Sequence, residues 1–145
     1  MEFIVIGGVC GVLHGAPLVT FDLDLVHSRT PENLDRLVAA LQALHAYYRG
    51  QGDRRPRPTA DFLASTGHHL LMTRFGPLDI LGTIARERGY EDLLPRSAGL
   101  QVEIGLSVRL LDLETLIMTK EETGRDKDKA VLPVLRRTLE ERRQG

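Results

Sequence analysis

Residues 3–26 read FIVIGGVCGVLHGAPLVTFDLDLV, and the reading of this stretch decides the fold. Phe3 to Ile6 is a short unbroken apolar run rich in β-branched residues, the pattern of a buried strand. Gly7-Gly8 ends it. Val9, Val12 and Leu13 then recur at helical spacing until His14-Gly15-Ala16-Pro17 stops the helix. From Val19 to Val26 the residues alternate, which predicts a second strand. Val19, Phe21, Leu23 and Leu25 would pack on one face of it, and Asp22 and Asp24 would leave the other together. Two carboxylates so placed repel, and each raises the pKa of its neighbour. The arrangement asks for a cation between them, and oxygen-only donors suit a hard ion, Mg²⁺ or Mn²⁺.

Outward from this stretch, Thr30-Pro31-Glu32-Asn33 is a helix start with Thr30 as its cap. Leu34, Leu37, Val38, Leu41 and Leu44 carry the helical period to about Tyr48. Residues 49–60 break every period and predict an exposed loop, in which Arg49, Arg54, Arg55 and Arg57 face a single acid, Asp53. His69–Phe75 and Pro77–Leu81 predict a hairpin about Gly76-Pro77, with Asp79 as an isolated acid between Leu78 and Ile80. A short helix near Tyr90–Leu94 and two strands, Gln101–Ile104 and Ser107–Leu111, follow. Asp112 caps a helix that Gly124 ends, and a last helix runs from Asp126 towards Glu141, where Pro133 predicts a kink or a late start. This order predicts an α+β protein, a mixed β-sheet with helices packed against it, as a single domain over residues 1–145 with its core in 3–111 and its C-terminal helices in 112–144.

Composition narrows the classes. Lys and Arg number 19 against 20 Asp and Glu, a formal charge of −1, which excludes a bulk polycation while leaving room for a local basic face. The single cysteine, Cys10, can form neither an internal disulfide nor a cysteine-based zinc site, and its apolar setting predicts a core residue. No apolar run approaches the roughly 20 residues that span a bilayer, and the first residues lack the basic region of a secretion signal. A cytoplasmic protein without membrane association is the expectation.

Ile6-Gly7-Gly8, the thirteen residues Val9 to Phe21, Asp22-Leu23-Asp24, and a third acid in Leu78-Asp79-Ile80 together resemble the nucleotidyltransferase superfamily with the DNA polymerase β-like palm. His14-Gly15, Thr20-x-Asp22, Lys120, Gly124-Arg125 and Lys127-Asp128 are similar to its small prokaryotic branch, which includes minimal nucleotidyltransferases and abortive-infection toxins. The resemblance implies transfer of a nucleoside monophosphate from a nucleoside triphosphate to a hydroxyl of RNA, protein or a small molecule. It implies two divalent ions held by Asp22, Asp24 and Asp79, which are also the catalytic residues. Gly7, Gly8, Lys120, Arg125 and Lys127 would bind the triphosphate, and an antitoxin-type protein would be the partner. A second reading of the same residues is a catalytically inactive module of this fold that binds a nucleotide or a partner protein; Leu18 stands where relatives often carry an arginine. Phe21-Asp22-Leu23-Asp24 also resembles the nucleophile motif of haloacid dehalogenase phosphatases. Leu25-Val26 stands where that motif continues Gly-Thr, and no later Gly-Asp-x-x-x-Asp follows.

Overall fold

A computed structural model describes residues 1–145. The β-branched run forms β1 (Phe3–Ile6), and the chain turns through Gly7, at φ +69°, into α1 (Gly7–Leu13). β2 (Leu23–His27) leads to α2 (Pro31–Ala43), whose first turn is capped by the Thr30 hydroxyl accepting from the Asn33 N–H. The Asn33 side chain ties this helix to the start of the chain, donating to the Glu2 and Ser28 carbonyls and accepting from the Glu2 N–H. Then come β3 (Tyr47–Tyr48), α3 (Ala60–Leu63), the hairpin β4 (His68–Thr73) and β5 (Gly76–Leu81), and α4 (Tyr90–Leu93) with a 3₁₀ turn at Leu94–Arg96. A second hairpin, β6 (Ser97–Glu103) and β7 (Leu106–Leu111), precedes two helices. α5 (Leu113–Thr123) begins with Asp112 Oδ1 accepting the Thr115 N–H at 2.7 Å and ends where Gly124 takes φ +63°. α6 (Asp126–Gln144) is continuous through Pro133 and does not start late.

All seven strands share one mixed sheet in the order β3-β4-β5-β2-β1-β7-β6, with β1–β7 and β2–β5 parallel and the other neighbours antiparallel. With six helices about it, the architecture is α+β. β1 has strands on both sides, and Ile4, Val5 and Ile6 are all buried, which is why its sequence is unbroken rather than alternating. Leu25, Leu71, Leu78 and Ile80 enter the core from one face of the sheet, and Leu116 of α5 and Leu135 of α6 are buried with them in a single cluster. Each such side chain contributes about 1.5–3 kcal/mol by leaving water. No helix is long and apolar enough to cross a membrane.

Three sequence expectations are corrected. β2 starts at Leu23 rather than Val19, so Asp22 precedes the strand, and Val19 and Phe21 are 86% and 85% exposed instead of packed. The reason is the register: Ile6, the last residue of β1, pairs with Asp24, and beyond it β1 has turned away. The second helix ends at Ala43, not Tyr48, because His45 adopts a left-handed φ of +56° and releases Tyr47 and Tyr48 to pair with β4. The hairpin turn falls at Arg74-Phe75, where the Thr73 hydroxyl accepts from the Phe75 N–H and donates to the Gly76 carbonyl; Gly76 and Pro77 already belong to β5.

Candidate functional site

Parallel pairing of β2 with β5 sets Asp24 opposite Asp79, and alternation then turns both carboxyls to the same face of the sheet. The two are close enough for Asp79 to act on the ionisation of Asp24. Burial, then the charge of Asp79 and more weakly that of Asp22, pushes the Asp24 carboxyl up to about 7, against a smaller opposing pull from Lys120. Asp24 Oδ1 is the one buried side-chain oxygen or nitrogen without a hydrogen-bond partner. Such an atom costs free energy unless something fills its coordination.

The neighbouring glycines follow from this crowding. A Cβ on Gly7 would collide with the Asp24 carboxylate, and its φ of +69° already disfavours a side chain. A Cβ on Gly8 would stand 2.7 Å from Thr20 Oγ1. Gly7-Gly8 is therefore needed so that the β1–α1 turn can pass against Asp24 and the segment preceding β2. Asp22 is near enough to act electrostatically on Asp24, but it comes from that segment, where Thr20 Oγ1 donates to its carbonyl at 3.4 Å.

Asp79 carries a partner that the sequence reading placed in a solvated loop. Arg49 Nη1 donates to Asp79 Oδ1 at 2.7 Å and to the Leu71 carbonyl at 2.8 Å. Its guanidinium lies in the field of all three acids: the Asp79 hydrogen bond, together with the charges of Asp79, Asp22 and Asp24, outweighs partial burial and holds its proton more firmly than usual. No signal in a Gly- and Pro-rich stretch identifies such a residue.

Lys120 from α5, Arg125 at the N-cap of α6 and Asp128 from α6 line cavities together with Asp24. Asp128 is 1% exposed; it accepts Lys120 Nζ at 3.4 Å, Arg125 Nε at 2.8 Å and the Arg125 backbone N–H at 3.3 Å. Burial pushes its carboxyl up, yet the Arg125 hydrogen bond and the charges of Lys120 and Arg125 together hold it below the usual range. Asp24, Lys120, Arg125 and Asp128 form a wall shared by two cavities. One, about 370 Å³, extends past Ile6 and Gly7 to Arg86, Leu116 and Thr119. The other, about 260 Å³, is bounded by Gly8, Thr20, Phe21, Asp22 and Lys127.

The expected residues are thus only partly gathered. Asp24 meets Asp79, with Asp22 beside them, and no three acidic, histidine or cysteine side chains form a ready-made metal cage. Asp24 brings an orphaned buried oxygen and Asp22 lines the same cavity, oxygen donors of the kind a hard divalent ion takes, while Asp79 already has one oxygen on Arg49. The remaining reactive groups have other roles. Burial pushes the Cys10 thiol up to about 12, and the group donates to the Leu111 carbonyl, which removes it as a nucleophile. His14 Nε2 donates to the Leu111 carbonyl at 2.7 Å while Nδ1 accepts from Arg142, pinning α1 and α6 to β7. Compared with known proteins, the chain matches no family model and no curated sequence.

Proposed function

We propose that this chain is a divalent-metal-dependent nucleotidyltransferase of the DNA polymerase β palm type, similar to the small prokaryotic branch with its toxin–antitoxin systems. The observation that carries the reading is the in-register Asp24–Asp79 pair, with the orphaned Asp24 oxygen at the wall between two cavities and a lysine behind it. Two reactants entering by the two cavities would meet at one acid.

Asp24 and Asp22 would hold the ion, which when bound supplies Lewis-acid neutralisation of the phosphate oxygens. Lys120 adds a point charge, and Arg125 and Lys127 line the cavity in which a triphosphate would lie, Arg125 by forked hydrogen bonds. Asp128 positions Lys120 and Arg125 rather than touching substrate. The acceptor hydroxyl attacks the α-phosphorus, the bond to the bridging oxygen breaks, and pyrophosphate leaves. The hydroxyl proton passes to Asp79, whose Oδ2 is not engaged by Arg49. Gly7 and Gly8 hold the turn that seats Asp24.

A second reading, a nucleotide- or partner-binding module without transfer, is favoured by one observation: Arg49 already occupies Asp79. One experiment separates them. The protein is incubated with labelled nucleoside triphosphates, Mg²⁺, and either RNA or lysate. Transfer of label that disappears in Asp24→Asn, with the melting curve still cooperative, supports the enzyme. Mg²⁺-dependent nucleotide binding without any labelled product supports the module.

A further inference from the structure

Arg55, Arg57 and Arg74 converge with His45, Tyr47 and Thr73 on a cavity of about 330 Å³ that has no acid in its lining. In a chain with a formal charge of −1, three guanidiniums at one place are a local concentration, not a reflection of overall basicity. The segment that carries two of them is fixed: the Tyr48 N–H donates to the Pro56 carbonyl at 2.9 Å, and Pro58 is buried. Arg55 and Arg57 therefore flank an anchored residue beside β3, while Arg74 comes from the β4–β5 turn. Two of the arginines lie over aromatic rings, Arg55 over Tyr47 and Arg74 over Phe75, each at 4.9 Å from the centroid, and Phe75 is 78% exposed.

Strand alternation connects this cavity to the carboxylates. Just past β3 the Arg49 N–H donates to the Leu70 carbonyl and extends the pairing with β4, which puts Tyr47 and Arg49, two apart, on the same face, and Arg49 reaches Asp79 across β4. From Tyr47 to Asp79 is two strand spacings across and two residues along, roughly 12 Å. Forked guanidiniums match phosphate oxygens, and flat rings beside them suit unpaired bases; an acidic peptide would use the charges but leave the rings idle.

We infer that the Arg55–Arg57–Arg74 cavity is a docking surface for single-stranded RNA, which leads a strand along the sheet face towards Asp79 and Asp24. That the docked strand is the transfer acceptor rests on the nucleotidyl-transfer reading; the docking itself does not.

The test is fluorescence anisotropy of a short labelled single-stranded RNA on the whole protein, without nucleotide, across salt. Three phosphate contacts give a slope of log affinity against log salt near −2, at about −0.7 per contact. The combined variant Arg55→Gln, Arg57→Gln, Arg74→Gln should lose at least tenfold in affinity and most of that slope, with an unchanged melting temperature. The pair Arg137→Gln, Arg143→Gln, on the exposed surface of α6, serves as the control and should bind as the unaltered chain does. Equal binding by the triple variant, equal binding of polyglutamate, or no preference for the single strand over a duplex overturns the inference. Loss of nucleotidyl transfer with RNA binding intact counts against the enzyme reading alone. Absent RNA binding with transfer to another acceptor intact counts against the docking surface alone.

Discussion

Replacing Asp24 by asparagine should make the metal-free protein more stable at pH 8, although it deletes a residue at the centre of the site. In the unfolded chain this carboxyl titrates near its ordinary value of 3.8, whereas in the folded protein burial and Asp79 raise it to about 7. Between about pH 4 and 7 the folded state keeps a proton that the unfolded state has lost. Stability tied to Asp24 is therefore fully present below about pH 4 and is lost as pH rises through about 7. At about 1.36 kcal/mol per pH unit the whole interval corresponds to about 4 kcal/mol. The carboxyl is partly open to solvent, which reduces the expected gain of Asp24→Asn at pH 8 to about 2 kcal/mol. At pH 4 the gain should be near zero. Urea unfolding with a chelator present, at both pH values, measures the difference. Adding Mg²⁺ should then reverse the ranking at pH 8, since an ion at a hundred times its Kd stabilises only the chain that holds it, by about 2.7 kcal/mol. A gain that is the same at both pH values, or equal stabilisation of both proteins by Mg²⁺, would refute the reasoning.

Two further substitutions probe the surroundings. Gly7→Ala places a Cβ against the Asp24 carboxylate at a left-handed φ, and should cost about 2–4 kcal/mol in a thermal melt; a loss below about 0.5 kcal/mol would show that the turn adjusts freely. Arg49→Met frees Asp79 Oδ1 and removes a competing cation from the field of three acids. Manganese binding, followed by electron paramagnetic resonance, should tighten several-fold, and unchanged or weaker binding would mean that Arg49 does not compete with the ion.

What was legible in the sequence is what local period and backbone chemistry determine. The β1–Gly7-Gly8–α1 run, the caps at Thr30 and Asp112 and the stop at Gly124 all follow from neighbours within a few positions. Asp24 stood out because it repeats Asp22 two residues on, and Asp79 because it interrupts apolar strand sequence; the parallel register places Asp24 and Asp79 opposite each other. Alternation misled at Val19 and Phe21 because period alone does not supply a pairing partner; β1 offers none before Asp24. The two-residue β3 was invisible behind the leucine period of α2. Arg49 was unreadable for a related reason: its meaning depends on an acid thirty positions later and two strands away, a distance that only the finished sheet closes.

The position of β1 has a consequence for biosynthesis. Its antiparallel partner follows closely, but its parallel partner is β7, with Val5 beside Leu110. The hairpins β4–β5 and β6–β7 can zip from nearby residues, whereas closing the sheet around β1 joins segments about a hundred positions apart and carries the entropy of that long loop. β1, translated before β7, is thus clamped on both edges only after the roughly hundred residues between them have been made. The acid pair needs only β5 beside β2, so Asp24 and Asp79 meet before β7 closes the other edge of β1.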